Sequence, residues 1–237
     1  MAMASSMPEF KRPRHLRIWR ALNSFDAGFL TDTCCYFGGG TRIVLGLGEY
    51  RESADVDFLC ADGPGYRRLR NTISQNSLGD ILRKPITLSR EVRADRYGIR
   101  TFLDLDGEPV KFEIITEGRI RLDADPAAEL PVPALDAVSC FAEIFLANAD
   151  RWADRSVLSR DVIDLAFMIK GWGNAAAVSG LERATGAYGD VVVDSLSRAV
   201  MKLEEDSGYF RRCQGELAVS DGRELRRGLR ALLQVIG

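Results

Sequence analysis

Residues 35–60 read CYFGGGTRIVLGLGEYRESADVDFLC, and this stretch decides the architecture. A short apolar run ends at Phe37, turns through Gly38, Gly39 and Gly40, and meets Thr41 as a helix start. Arg51 and Ser53 then lead into Asp55-Val56-Asp57 and the apolar Phe58-Leu59-Cys60. In an extended strand, residues two apart share a face, so Asp55 and Asp57 point together while Val56 and Phe58 turn to a core. Two adjacent carboxylates repel each other and call for a cation; a hard divalent ion such as magnesium or manganese takes such oxygen ligands. Upstream, a glycine turn entering a helix leaves backbone N–H groups that favour phosphate. Each half has a plain alternative, a flexible turn and a solvated strand end. Their order within one strand–turn–helix–strand unit points to phosphoryl or nucleotidyl transfer.

The rest of the chain sets bounds on this reading. At 237 residues it can form one large domain or two small ones, and a formal charge of −2 gives no global attraction for nucleic acid. Basic residues are nonetheless clustered, at Lys11, Arg12, Arg14, Arg17 and Arg20 and at Arg223, Arg226, Arg227 and Arg230. Such runs read as solvated faces, with RNA contact as the alternative for the first. The five cysteines are odd in number and form no Cys-x-x-Cys pair, which argues against a disulfide framework or a zinc site. No apolar run is long enough to span a bilayer, no signal-peptide core is present, and the expected location is the cytoplasm. His15 is the single histidine and reads as a surface residue without a role, which removes Ser-His-Asp and Cys-His chemistry.

Along the chain, residues 1–13 read as a disordered basic arm and residues 15–30 as a helix. Helical character returns over 66–82. Strand patterns follow over 86–92, 99–105 and 110–115, with Asp106-Gly107 as a hairpin turn. Hairpins after a strand–helix–strand unit predict a mixed, twisted sheet. Pro126, Pro131 and Pro133 mark a linker, beyond which helices are predicted over 136–152, 158–172, 174–188, 191–205 and 223–235. The fold class is therefore α+β, with a sheet domain over 14–125 and a helical domain over 134–237. Glu113, on an otherwise apolar strand, reads from spacing alone as an edge residue facing solvent. Asp161 and Asp164, three apart, share a helix face, or are an acidic pair favoured by the helix dipole.

Gly38-Gly39-Gly40-Thr41 followed by Arg51-x-Ser53-x-Asp55-x-Asp57 resembles the signature of the DNA polymerase β-like nucleotidyltransferase superfamily, and within it the AbiEii/AbiGii toxins of abortive-infection and toxin–antitoxin systems. The resemblance runs over about residues 30–172, and Arg160, Asp161, Asp164 and Leu165 match the family's Arg-Asp-x-x-Asp-Leu helix. It implies a third carboxylate at Glu113, metal binding by Asp55, Asp57 and Glu113, and catalytic roles for these and Asp161. It also implies nucleotide contacts from Gly38, Gly39, Gly40, Thr41, Arg51, Ser53, Arg160 and Asp164. One departure stands out: the family's Ala-Glu-Lys-Leu motif here reads Ala142-Glu143-Ile144-Phe145, so Ile144 replaces a lysine expected to meet the phosphates. Lys111, Arg160 and Lys170 are candidate substitutes, and Arg42 is a further cation near the glycine turn.

The leading expectation is a magnesium-dependent nucleotidyltransferase that uses a nucleoside triphosphate. The resemblance implies a tRNA 3′ end or a protein hydroxyl as acceptor and a separate antitoxin protein as partner. Two rivals remain: a catalytically silent nucleotide- or RNA-binding homologue, and a toxin–antitoxin interaction protein.

Overall fold

In the strand Val-Asp-Phe-Leu-Cys, Val56, Phe58 and Cys60 alternate into one core while Asp57 and Leu59 face the other way. A computed structural model describes residues 9–236. Its elements run α1 (Pro13–Leu22), α2 (Ala27–Asp32), β1 (Cys35–Gly38), α3 (Gly39–Gly46), β2 (Val56–Cys60), α4 (Gly63–Thr72), β3 (Leu88–Ala94), β4 (Gly98–Leu105) and β5 (Glu108–Thr116). Helices follow: α5 (Ala137–Arg151), α6 (Arg160–Trp172), α7 (Asn174–Tyr188), α8 (Val191–Glu205), α9 (Ser207–Glu216) and α10 (Gly222–Val235).

The strands form one sheet in the order β1-β2-β5-β4-β3. Only β2 and β5 are parallel, and the other pairs are antiparallel, which gives the expected mixed sheet. One face packs against α1, α2 and α4 through Phe25, Phe37, Phe58 and Phe112, with Phe25 and Phe58 ring centroids 5.4 Å apart. This aromatic cluster fixes β2 so that its alternate residues must turn outward. A second core lies among the C-terminal helices and takes in Ile43 and Val44 of α3 and Leu59 of β2. The open part of the sheet's second face therefore looks toward α5 and α6.

Several boundaries differ from the sequence expectation for local reasons. The helix expected over 15–30 breaks after Leu22, and Asp26 restarts it by accepting the Phe29 N–H at 2.8 Å. The helix expected over 66–82 begins at Gly63 and ends at Thr72. The proline-rich segment is no free linker: the Phe37 N–H donates to Pro133 O at 2.8 Å and the Leu135 N–H to Phe37 O at 3.0 Å, so it lies along β1. Helix α9, unassigned from sequence, starts at Asp206, whose carboxylate accepts the Tyr209 N–H at 2.8 Å. Of the expected basic arm, residues 1–8 lie outside the described residues. Lys11 and Arg12 are held against the fold: their backbone N–H groups donate to Glu49 at 2.6 and 3.1 Å. No helix among the described residues is long and apolar enough to cross a membrane.

Candidate active site

The parallel register of β2 and β5 sets Asp57 opposite Glu113. Partners in register share a face, so Asp57 and Glu113 both look into a cleft of about 500 Å³, and Asp55 lines it one step before β2 begins. The opposite wall carries Glu143, Ile144, Ala147, Asp150 and Arg151 of α5 with Arg160, Asp161 and Asp164 of α6. Gly39, Gly40, Arg51 and Ser53 close one end. Nearly every site residue expected from sequence thus reaches one cavity.

Gly39 and Gly40 are needed for close approach. Gly39 sits at φ +64°, and a Cβ there would lie 2.7 Å from Asp57 Oδ2. At Gly40 a Cβ would meet an Arg51 terminal nitrogen at 2.4 Å. The helix α3 that starts here has no side-chain cap, so its first N–H groups are left for a ligand on the Asp57 side. Gly38 and Thr41 do not line the cleft. Gly38 is packed under Leu59 and Leu135. Thr41 is buried; its hydroxyl donates to Asp55 O at 2.5 Å and bonds Ser53 Oγ at 2.8 Å, steadying the turn before the aspartates.

Asp57 is held up to a pKa of about 7, first because it is buried and then because Asp55 stands beside it; Lys111 and Arg160 pull the other way. No Lys or Arg among the described residues forms an ion pair with Asp55 or Asp57. Glu113, by contrast, is engaged: Arg100 Nε donates to it at 2.9 Å, and Lys111 Nζ is in contact with its other oxygen. Among the described residues no three acidic, histidine or cysteine side chains stand close enough to form a metal cage alone. The donor set still suits magnesium, which is held by one or two carboxylates together with substrate phosphates rather than by an all-protein cage. Asp55 and Asp57, two hard oxygen donors on one side of the cleft without an ion-pair partner among the described residues, meet that description.

Arg51 and Asp164 are bound to each other. Arg51 Nε and Nη2 each donate to the Asp164 carboxylate at 2.6 Å, Tyr50 Oη donates to it at 2.5 Å, and both partners of the ion pair are at least 95% shielded from solvent. The pair ties the loop before the aspartates to α6 and acts as a strut behind the cleft. Asp161 is gripped in the same two-point way by Arg151 of α5, at 2.7 Å for each bond. Arg160 lines the cleft with no ion-pair partner among the described residues. Arg42 and Lys170 are elsewhere: Arg42 pairs with Asp125 at 3.2 Å beneath Trp172, and Lys170 pairs with Glu224 at 3.8 Å.

His15 corrects the sequence reading most plainly. It is fully buried, its Nδ1 lies 2.7 Å from Glu49 Oε1, and its Nε2 accepts the Ser53 N–H at 3.2 Å. The bonding fixes the neutral tautomer with the proton on Nδ1. Sequence also gave no role to Glu143, Arg119 and Asp150 in the cleft; among these, Glu143 within the Ala142-Glu143 pair was the available signal.

A mixed five-stranded sheet with flanking helices, followed by a helical region, is a nucleotidyltransferase-like fold. The family model for the nucleotidyl transferase AbiEii toxin of type IV toxin–antitoxin systems matches residues 20–226, and the chain belongs to this family. None of the curated proteins matches it. Among solved structures, JHP933 from Helicobacter pylori aligns at TM-score 0.57 and 16% identity, over 96% of this chain and 93% of that one. A candidate nucleotidyltransferase from H. pylori aligns at TM-score 0.55 and 16% identity, over 94% and 92% respectively. At that identity the two structures support the fold alone.

Proposed function

We propose that the cleft binds a nucleoside triphosphate with a divalent ion and transfers its nucleotidyl group to an acceptor hydroxyl. The observation that carries this reading is the pairing of Asp55 and Asp57, with no direct ion-pair partner among the described residues, on the wall facing Arg160 and the start of α3. Asp55 and Asp57 would hold the ion, which would neutralise charge on the phosphates when bound. Arg160 and the α3 N–H groups would position the triphosphate. The acceptor oxygen would form a bond to the α-phosphorus while the bond to pyrophosphate breaks. The hydroxyl proton would pass to a carboxylate of this face, Glu113 in our reading, once it exchanges its contact with Lys111. Asp161 would act by holding Arg151 at the cleft wall. The acceptor in this reading is a tRNA 3′ end or a protein hydroxyl, and membership in a toxin–antitoxin family supports an antitoxin protein as partner.

Ile144 favours a second reading. It is 5% exposed, joins the helical core, and lines the cleft at the position where the family resemblance implies a lysine. A cleft lacking that charge could bind a nucleotide without turning it over. Incubation with triphosphates labelled at the α-phosphate, magnesium or manganese, and RNA or protein acceptors separates the two. Label on an acceptor supports transfer; binding of the triphosphate without label on any acceptor supports the silent reading.

A further inference from the structure

Cys35 opens β1 and Cys60 closes β2, and the antiparallel register sets them opposite each other at the outer end of the ladder. Both side chains enter the same core, at 0% and 2% exposure. Antiparallel partners are of two kinds: pairs that exchange backbone hydrogen bonds and pairs that do not. Phe37 identifies the kind here. Its N–H donates to Pro133 O and its carbonyl accepts the Leu135 N–H, so both groups face away from β2. Cys35, two residues earlier on the strand, is oriented as Phe37 is. On the other strand Cys60 O accepts the Glu117 N–H at 2.9 Å, on the side of β5. Cys35 and Cys60 are thus a pair without mutual backbone bonds, the kind that brings side chains closest.

In such a pair the Cα atoms stand about 4.5 Å apart, and a disulfide spans Cα separations of roughly 4.4–6.8 Å. Two thiols so placed can be joined without separating or sliding the strands. The other cysteines share no such register: Cys34 is exposed ahead of β1, Cys140 lies on α5 and Cys213 on α9. Joining Cys35 to Cys60 closes residues 36–59 into a ring, and that ring holds Gly39, Gly40, α3, Asp55 and Asp57.

We propose that Cys35 and Cys60 are a dithiol that hydrogen peroxide closes into a cross-strand disulfide, fastening β1 to β2 around the unit that carries the aspartates. Whichever thiol ionises first attacks one peroxide oxygen. An S–O bond forms, the O–O bond breaks, and the departing hydroxide takes up the released proton as water. The second sulfur then attacks the sulfenic sulfur: the S–S bond forms, the S–O bond breaks, and the second thiol's proton leaves with the hydroxyl as another water. Two thiols and one peroxide give one disulfide and two waters. The place of the pair at the ladder's end lets a small oxidant enter as the strand termini fray. The inference needs only the register and is independent of the nucleotide reading.

The test is peroxide treatment of the folded full chain, followed by alkylation and peptide mapping without reduction, for wild type, Cys34→Ser, Cys35→Ala and Cys60→Ala. Wild type and Cys34→Ser should give one intramolecular link between the peptides that hold Cys35 and Cys60, with loss of two hydrogens and reversal by dithiothreitol. The linked chain should melt roughly 5–10 °C higher, as closing a ring of this length gives. Cys35→Ala and Cys60→Ala should form no such link and show no rise. Cys34→Ser replaces an exposed side chain and decides the matter if either alanine variant does not fold. The proposal is overturned if both thiols of Cys34→Ser remain alkylatable while Met201, 45% exposed, is fully converted to its sulfoxide. A link from Cys60 to Cys140 or Cys213, or a Cys35–Cys60 link that lowers the melting temperature, overturns it equally.

Discussion

Asp57 on β2 and Glu113 on β5 are register partners in the one parallel pair of the sheet, and they meet different surroundings on the same face. Glu113 is neutralised by Arg100 and Lys111, whereas Asp57 is half-buried beside Asp55 with no ion-pair partner among the described residues. Asp57 is the costly member, since a carboxylate partly withdrawn from water beside a second carboxylate destabilises the fold.

Asp57→Asn should therefore raise stability, by about 1–2 kcal/mol at pH 8, because it removes a half-buried charge and its repulsion with Asp55. Urea denaturation in the absence of divalent ions measures the gain. The same variant should lose magnesium-dependent triphosphate binding.

The raised Asp57 pKa of about 7 carries a pH dependence with a definite sign. Between the ordinary carboxylate value near pH 4 and pH 7, the folded chain holds a proton that the unfolded chain has released, so this group's contribution to stability falls as pH rises through that window. Metal binding needs the carboxylate and should follow the opposite course, strengthening from pH 6 to 8. Manganese titrations followed by relaxation or calorimetry across this range, repeated with Asp57→Asn, test both trends; the variant should lose the midpoint near 7.

Arg51 and Asp164 join the two lobes through a buried two-point ion pair. Arg51→Ala leaves Asp164 buried and uncompensated apart from Tyr50, and should cost about 3–5 kcal/mol in chemical denaturation. The double variant Arg51→Met with Asp164→Leu should recover much of that loss, because an apolar pair of similar volume has no charge to desolvate.

His15 links the start of the chain to the loop over the cleft, through Glu49 on one side and the Ser53 N–H on the other. Although burial works to raise the Glu49 pKa, hydrogen bonds from Lys11, His15 and Arg12 hold it below the usual range. His15→Ala should destabilise the fold by about 2–3 kcal/mol, since it leaves Glu49 and the Ser53 N–H short of a partner. It should also speed hydrogen exchange at Ser53 and its neighbours.

The sheet and most of the cleft were legible because their signals are local. Period-two alternation in 56–60 and 110–115 fixes which side chains share a face, which suffices for Asp57; Glu113 read from spacing alone as solvent-facing, and only the family resemblance assigned it to the site. Helix α7 and helix α8 occupy the spans their periodicity predicted. What stayed hidden depends on distant partners. Arg51 and Asp164 are 113 residues apart, so nothing in the loop sequence reveals that Arg51 is consumed by a strut. His15 lies 34 residues from Glu49, and its burial comes from the returning chain rather than from its arginine neighbours. Glu143 and Arg119 line one cleft although they come from α5 and from the turn after β5, a neighbourhood that only the fold creates.

The most direct test is a crystal structure of the protein with a non-hydrolysable nucleoside triphosphate and manganese, whose anomalous signal locates the ion. The account predicts manganese on the carboxylates of Asp55 and Asp57, with phosphate oxygens completing its shell and the triphosphate lying along Gly39, Gly40 and Arg160. Manganese or triphosphate bound elsewhere, with Asp55 and Asp57 untouched at saturating ligand, would contradict it.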